Sequence, residues 1–266
     1  VRIFLEYSGV TSYRGVETFG CVGMQLIVEP DLGLCDNLKP NRFLGTERKR
    51  FFKDLAIARS FIFQGWFLMN LLQQSALAWK EIIEYQYLFT YGYKMKLYLI
   101  KLTFSLEDYP HLAGFQYMKD ISLPNYTSAK ITDRILQNKI PFEMIQKASQ
   151  YDEMIKPRLE AITHLKSSLD NDFTLYSYMP RMYPFVTNIK ADYLIASHTN
   201  IESFIFIIRS TPQNKSQCDF LCCSIFKERT RDYETNQRTR VILKKERIHI
   251  PTNTSVILLD KLNAQK

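Results

Sequence analysis

From Met69 onward, the helical and strand-like stretches of this chain are segregated rather than alternated. MNLLQQSALAWKEIIEY places Leu72, Ala76, Trp79 and Ile83 at helical spacing. YLFTYGYKMKLYLIKLTF reads as a hairpin turning near Gly92-Tyr93-Lys94. YPHLAGFQYMKD, SAKITDRILQNKI and PFEMIQKAS read as short helices, with Pro110 and Pro141 near the starts of the first and third. IKPRLEAITHLKSSLD reads as one longer amphipathic helix carrying Leu159, Ile162 and Leu165 on one side. Strand-like runs follow: FTLYSY, IKADYLIAS, SFIFIIRS, CDFLCCSIF, TRVILKKERI and SVILLD. A parallel sheet needs helices between its strands, so this order points to an α+β fold with an antiparallel sheet. Leu159, Ile162, Phe204, Phe206 and Ile208 are expected in its core.

The chain changes character near Met69. Before it, GLCDNLKPNRFLGTERKRFF follows neither the strand period nor a long helical stripe. The first residue is Val, and the codons for Gln64-Gly65-Trp66 can contain a ribosome-binding-like AAGGA shortly before Met69. The expected organisation is therefore 1–68 as an extension, either non-native or loosely ordered, and 69–266 as the functional domain. A genuine helical appendage is the rival. On the first reading, a chain beginning at Met69 melts at the same midpoint as the whole.

Charge narrows the partner without naming it. There are 35 Lys and Arg against 27 Asp and Glu, a net +8, which favours an anionic partner. Cys21, Cys35, Cys218, Cys222 and Cys223 lack a paired CxxC arrangement and read as reduced thiols. No run of about 20 apolar residues occurs, so no membrane span is expected and the localisation expected is cytoplasmic. Walker A, GxGxxG, HExxH and GxSxG are absent, and carboxylates are not paired as metal ligands would be. Chemistry by this chain is then most simply metal-independent and cofactor-free. It would be proton transfer by His, Tyr or a carboxylate, with Lys and Arg neutralising developing charge.

Within EDYPHLAGFQYMKD, His111 stands where a strand hands over to a helix. Packing among Tyr109, Leu112 and Phe115 would explain it, and so would proton transfer near neutral pH. Lys119 follows about two helical turns later, and Ser128 and Lys130 come next. Arg158 sits just after Pro157, at the helix end where a cation is disfavoured, which calls for an anion or carboxylate partner. Lys190 and Asp192 share one strand face, the pattern of a cross-strand ion pair. His164 reads as structural or solvated, and His198 and His249 as surface residues. KERTRDYETNQRTRVILKKER carries eight basic and four acidic residues around Tyr233 and Gln237. It suits phosphate contact and base stacking, or is a solvated hairpin.

YPHLAGFQYMKDI, SAKITDRILQNKI, IKPRLEAITHL, IKADYLI, CCSIF and DYETNQRTRVILKKERI occur in that order over roughly residues 70–250. Their shared order resembles the fourth of the phage-borne nuclease families grouped with barnase, EndoU, colicin and RelE, the BECR fold. The resemblance implies N-terminal helices packed on a curved, mainly antiparallel sheet. It also implies an endonuclease of phages and mobile elements, acting on RNA, tRNA included, with an immunity or antitoxin protein as partner and no membrane. His111 matches the family's HL.G motif, and Lys119 and Asp120 its basic-acidic pair, while Tyr109 stands where Phe is commoner. Ser128, Arg158, Lys190, Asp192, Ser224, Tyr233 and Gln237 fall on later motifs.

Roles follow from chemical type. His111, Lys119 and Tyr233 are the catalytic candidates, with Tyr233 or a second His as partner to His111. Ser128, Lys130, Arg158, Lys190 and Gln237 are the substrate-binding candidates, and no metal ligand is assigned. The reaction implied is attack by the ribose 2′-OH on phosphorus, leaving a 2′,3′-cyclic phosphate and a 5′-OH. A non-catalytic RNA- or protein-binding module on the same fold is the alternative.

Overall fold

The computed structural model describes residues 2–6, 19–21, 24–29, 69–123, 125–199, 201–210, 218–227 and 230–263. The chain divides into two compact units, Val1–Asn70 and Leu71–Lys266. In the first, β1 (Arg2–Glu6), β2 (Phe19–Cys21) and β3 (Met24–Glu29) form an antiparallel sheet in the order β1-β3-β2. The rest of the expectation for 1–68 lies outside the described residues.

The second unit opens with α1 (Leu71–Ile82), which buries Leu72, Ala76 and Trp79. The Trp79 indole N–H donates to Ser105 O at 3.0 Å. The hairpin of β4 (Tyr85–Tyr93) and β5 (Lys96–Thr103) turns at Lys94 and Met95, both at positive φ. The turn therefore falls just past Gly92, which stays inside β4. Short helices follow: α2 (Tyr109–Leu112), α3 (Ser128–Leu136) and α4 (Phe142–Gln146).

The single helix expected over IKPRLEAITHLKSSLD is broken. A π-helical turn, Tyr151–Ile155, leads into α5 (Lys156–Thr163), and a break at His164 separates α6 (Leu165–Asp170). Pro157 has no N–H to donate, so the regular ladder cannot run through it, and the Lys156 N–H instead reaches Tyr151 O.

The sheet corrects the expected architecture. β6 (Thr174–Ser177), β7 (Tyr193–Ser197), β8 (Ser203–Arg209), β9 (Asp219–Lys227), β10 (Arg238–His249) and β11 (Thr254–Asp260) join the hairpin in the order β11-β10-β4-β5-β9-β8-β7-β6. β6 then pairs back onto β10, closing seven strands into a barrel with β11 outside. The α+β class stands, but the sheet is a closed mixed barrel and not a curved antiparallel one. β5 and β9 run parallel, the long crossover between them holding the helical block and then β6, β7 and β8. Closure depends on the length of β10. Its first residues, Arg238–Arg240, pair with β6, and Val241–His249 pair with β4. A bulge between Ile242 and Lys244, within the stretch paired with β4, bends the strand locally. The bulged Leu243 sits over Gly92, where an added Cβ would come 3.2 Å from Leu243 Cδ1.

One sheet face meets the helices: Tyr87, Phe89, Leu102, Ile205 and Ile225 pack with Trp79, Leu159 and Ile162. Each fully buried Leu, Ile or Phe contributes about 1.5–3 kcal/mol. The opposite face of β7 and β8 carries Leu194, Ala196, Phe204 and Phe206, covered by Tyr178, Tyr183 and Tyr233. Leu159, Ile162, Phe204 and Phe206 are core as expected, whereas Ile208 is only partly buried. No helix among the described residues is long and apolar enough to cross a membrane.

Candidate functional site

β5 pairs with β9 only through Asp219–Leu221, so the rest of that β9 edge, up to Lys227, is left to the helices. α5 and α2 pack against it. Arg158, from the first turn of α5, lies at this seam. Its guanidinium carbon is 5.3 Å from the Phe226 ring centre and 5.1 Å from that of Tyr117. Nη1 donates to Met154 O at 3.2 Å, in the π-helical turn. The residue is buried, and no carboxylate among the described residues pairs with it. Burial pulls its pKa down, and the nearby Tyr117 and Tyr233 hydroxyls oppose that shift. The carboxylate partner expected for Arg158 is therefore missing among the described residues. Aromatic faces stabilise the cation without neutralising it.

Gly114 is what lets Arg158 lie there. Its φ is 88°, and a Cβ added to it would stand 2.8 Å from Arg158 Cδ and 3.1 Å from Met154 O. Two motifs that are separate in sequence, HLAG and KPRL, are thus halves of one contact.

Beside Arg158, the opposite sheet face is aromatic. The Tyr233 ring packs 5.4 Å from Phe226, 5.4 Å from Phe206 and 5.3 Å from Phe204. The Tyr183 hydroxyl donates to Tyr233 O at 2.8 Å, and Arg231 lies over Phe185 at 5.1 Å. The DYETNQ loop is held from within: Asp232 Oδ1 accepts the N–H groups of Glu234 (2.7 Å) and Thr235 (3.0 Å). Gln237 clasps Met179, accepting its N–H at 2.6 Å and donating to its carbonyl at 3.2 Å. Between these two anchors, Glu234 turns toward β6 and β7. The Tyr176 hydroxyl donates to Oε2 at 2.7 Å, and His198 Nε2 lies 3.0 Å from Oε1. Burial, reinforced by that bond to Glu234, pushes the Tyr176 pKa up to about 12. His198 directly follows Ser197, which pairs with Ser203, which in turn pairs with Lys227. His198, Lys227 and the Phe226–Arg158 contact thus share one end of the sheet.

The sequence candidates fall into groups. Arg158 and Tyr233 both pack on the Phe226 ring, and Gln237 anchors the loop that carries Tyr233. Tyr233 is buried, its ring part of the aromatic face. His111 is exposed on α2, and its carbonyl accepts the Gly114 N–H at 3.0 Å. It also draws down the Asp108 carboxyl, which burial chiefly pushes up. Lys119 is exposed, and Asp120 Oδ2 accepts the Ser149 N–H at 2.8 Å. Ser128 begins α3 and its carbonyl accepts the Thr132 hydroxyl at 3.2 Å. Lys130 and Arg134 flank the Tyr126 ring at 4.9 and 5.0 Å. Lys190 is exposed on the strap before β7, and its carbonyl accepts the Cys223 thiol at 3.3 Å. Among the described residues neither Lys190 nor Asp192 makes the expected cross-strand ion pair; Asp192 Oδ2 instead accepts the Arg209 backbone N–H across the strands at 2.7 Å. Ser224 stands opposite Phe206 in β9.

His164 is half-buried on the helical side, and His249 packs on Tyr85 at 5.1 Å. Sequence reasoning missed Gly114, Tyr117, His198 and Glu234. Glu234 could have been found as the carboxylate lying between Tyr233 and Gln237.

No curated protein and no solved structure matches this chain. A family model does match, over residues 71–262, and its range takes in the barrel, Arg158, the aromatic face and the DYETNQ loop. On that match, the chain belongs to the family described as phage-Barnase-EndoU-ColicinE5/D-RelE like nuclease 4.

Proposed function

We propose that this nuclease-family member is an endoribonuclease of a phage or mobile element. It would cut RNA without a metal, by attack of the 2′-OH on the adjacent phosphorus, leaving a 2′,3′-cyclic phosphate and a 5′-OH. One observation carries the proposal: Arg158 is buried with no carboxylate partner among the described residues. An uncompensated buried charge costs several kcal/mol, and an arriving phosphate relieves that cost. The relief grows as negative charge builds on the phosphorane, so the same cation favours the transition state over the ground state.

His111 is the proton donor to the departing 5′-oxygen, and Lys119, eight residues on, neutralises developing charge. Lys130 and Arg134 around Tyr126, together with Lys190 and Arg231, are the phosphate and stacking contacts along the strand. An immunity or antitoxin protein is the partner that fits such an activity. The alternative, a non-catalytic RNA- or protein-binding module, draws on the placement of Tyr233 and Gln237, which are engaged in packing and in the clasp.

The decisive experiment incubates the purified full chain with total RNA and tRNA in EDTA and analyses the new ends. Cyclic phosphate and 5′-OH ends are expected, and a substrate with a 2′-deoxy sugar at the cut should resist. Binding without cleavage would establish the module instead.

A further inference from the structure

We propose that His198, oriented by Glu234, is the general base of this site. The inference rests on the ribonuclease reading above and adds to it the group that activates the nucleophile. Glu234 holds His198 Nε2 at 3.0 Å with one oxygen and the Tyr176 hydroxyl at 2.7 Å with the other. An Nε2–H directed at a carboxylate leaves Nδ1 with its lone pair, the form able to take a proton. Among the described residues, Nδ1 has no partner, and the ring is 47% exposed, so a ribose can reach it.

Glu234 is not a casual surface contact. Its backbone N–H is bound by Asp232, the residue before it is buried among aromatic rings, and Gln237 fastens the loop to Met179. Glu234 is a positioning residue, and its aim is set by the loop that carries it.

The placement suits the reaction. β7, which ends beside His198, and β9, which carries Phe226 under Arg158, are separated by β8 alone. Two strand spacings put them about 10 Å apart, the scale of a ribose with its 3′-phosphate. Tyr233 lies between them on the aromatic face. In the step assigned, His198 Nδ1 takes the 2′-OH proton as the O2′–P bond forms. The P–O5′ bond breaks, the O5′ receives a proton from the His111 imidazolium, and Arg158 faces the phosphoryl oxygens. Water then resets both imidazoles.

The test compares wild type, His198→Ala and Glu234→Gln as full chains, measuring RNA cleavage against pH, RNA affinity and melting midpoint. His198→Ala should lose about 10²–10⁴ in kcat with affinity and midpoint close to wild type. Added imidazole should restore part of that loss. Glu234→Gln removes the carboxylate that aims Nε2–H, so kcat should fall while RNA affinity and midpoint stay close to wild type. A His198→Ala protein as active as wild type overturns this inference and leaves the ribonuclease reading intact. So does a loss that tracks a lowered midpoint and resists imidazole. A wild-type protein inert on RNA overturns the ribonuclease reading, and this inference with it.

Discussion

A methyl group added at Gly114 would meet Arg158 Cδ at 2.8 Å, in a backbone conformation that side chains resist. Gly114→Ala should therefore lose about 1–3 kcal/mol in urea unfolding and lower cleavage by displacing Arg158. Gly92→Ala is the control. Its new carbon meets the mobile tip of Leu243 at 3.2 Å without positive φ, so it should cost under about 1 kcal/mol. Equal losses at the two sites would contradict this account. Arg158→Met should separate stability from function. Removing a buried, unpaired cation should leave unfolding free energy unchanged or raise it by up to about 2 kcal/mol, while cleavage falls about 10²–10³-fold. A large destabilisation would mean that the guanidinium is a structural pillar.

His164 supplies a pH signature at the same scale. Burial lowers its pKa below 6.5, Glu160 opposes the shift and Lys227 adds to it. A depressed imidazole takes its proton less readily in the folded chain than in the unfolded one. Its contribution is therefore intact above the ordinary value of about 6.5 and is lost as pH falls from there toward the depressed value. The stability difference between wild type and His164→Gln should shift against wild type between about pH 8 and about pH 5, and a constant difference would refute it.

At the scale of elements, the DYETNQ loop is fastened at both ends and pinned in the middle. Asp232 caps its start, Tyr233 fills the aromatic face and Gln237 clasps Met179. Gln237→Ala removes two hydrogen bonds and leaves two backbone groups of Met179 to water. Urea unfolding should show a loss of about 1–3 kcal/mol. Cleavage should fall as well, through Glu234, with RNA affinity less affected. A mutant with full activity would show that the clasp does not serve the site. β10 presents a similar economy: its 12 residues serve β6 at the start and β4 thereafter.

For the whole molecule, the net charge of +8 and the scattered exposed lysines favour an anionic partner, so on the proposed function RNA affinity should be an electrostatic quantity. Affinity should fall linearly with the logarithm of salt. Lys130→Ala and Lys190→Ala should each flatten that slope by about 0.7, the loss of one single-strand phosphate contact. Anisotropy titrations of a labelled RNA at several salt concentrations would measure it, and an unchanged slope would remove that lysine from the strand's path. Closure of the barrel pairs β6 back onto β10, and the stretch of β9 beyond its short pairing with β5 is covered by helices.

The α+β class, the positions of most helices and strands, and the ordered motifs of the family were legible in the amino-acid sequence. Periodicity, proline placement and turn chemistry are local properties, and each is printed in a few neighbouring residues. Arg158 was legible too, as a cation at the wrong end of a helix. Barrel closure was not, because β10 meets β6 and β4 through pairings between distant segments that no local pattern encodes. The same distance hid the contact of Gly114 with Arg158 and that of His198 with Glu234. Their side chains carry no mark of one another until the sheet brings them together. Tyr233 and Gln237 look polar and free in a charged stretch, and only packing shows them holding the loop that aims its neighbour, Glu234.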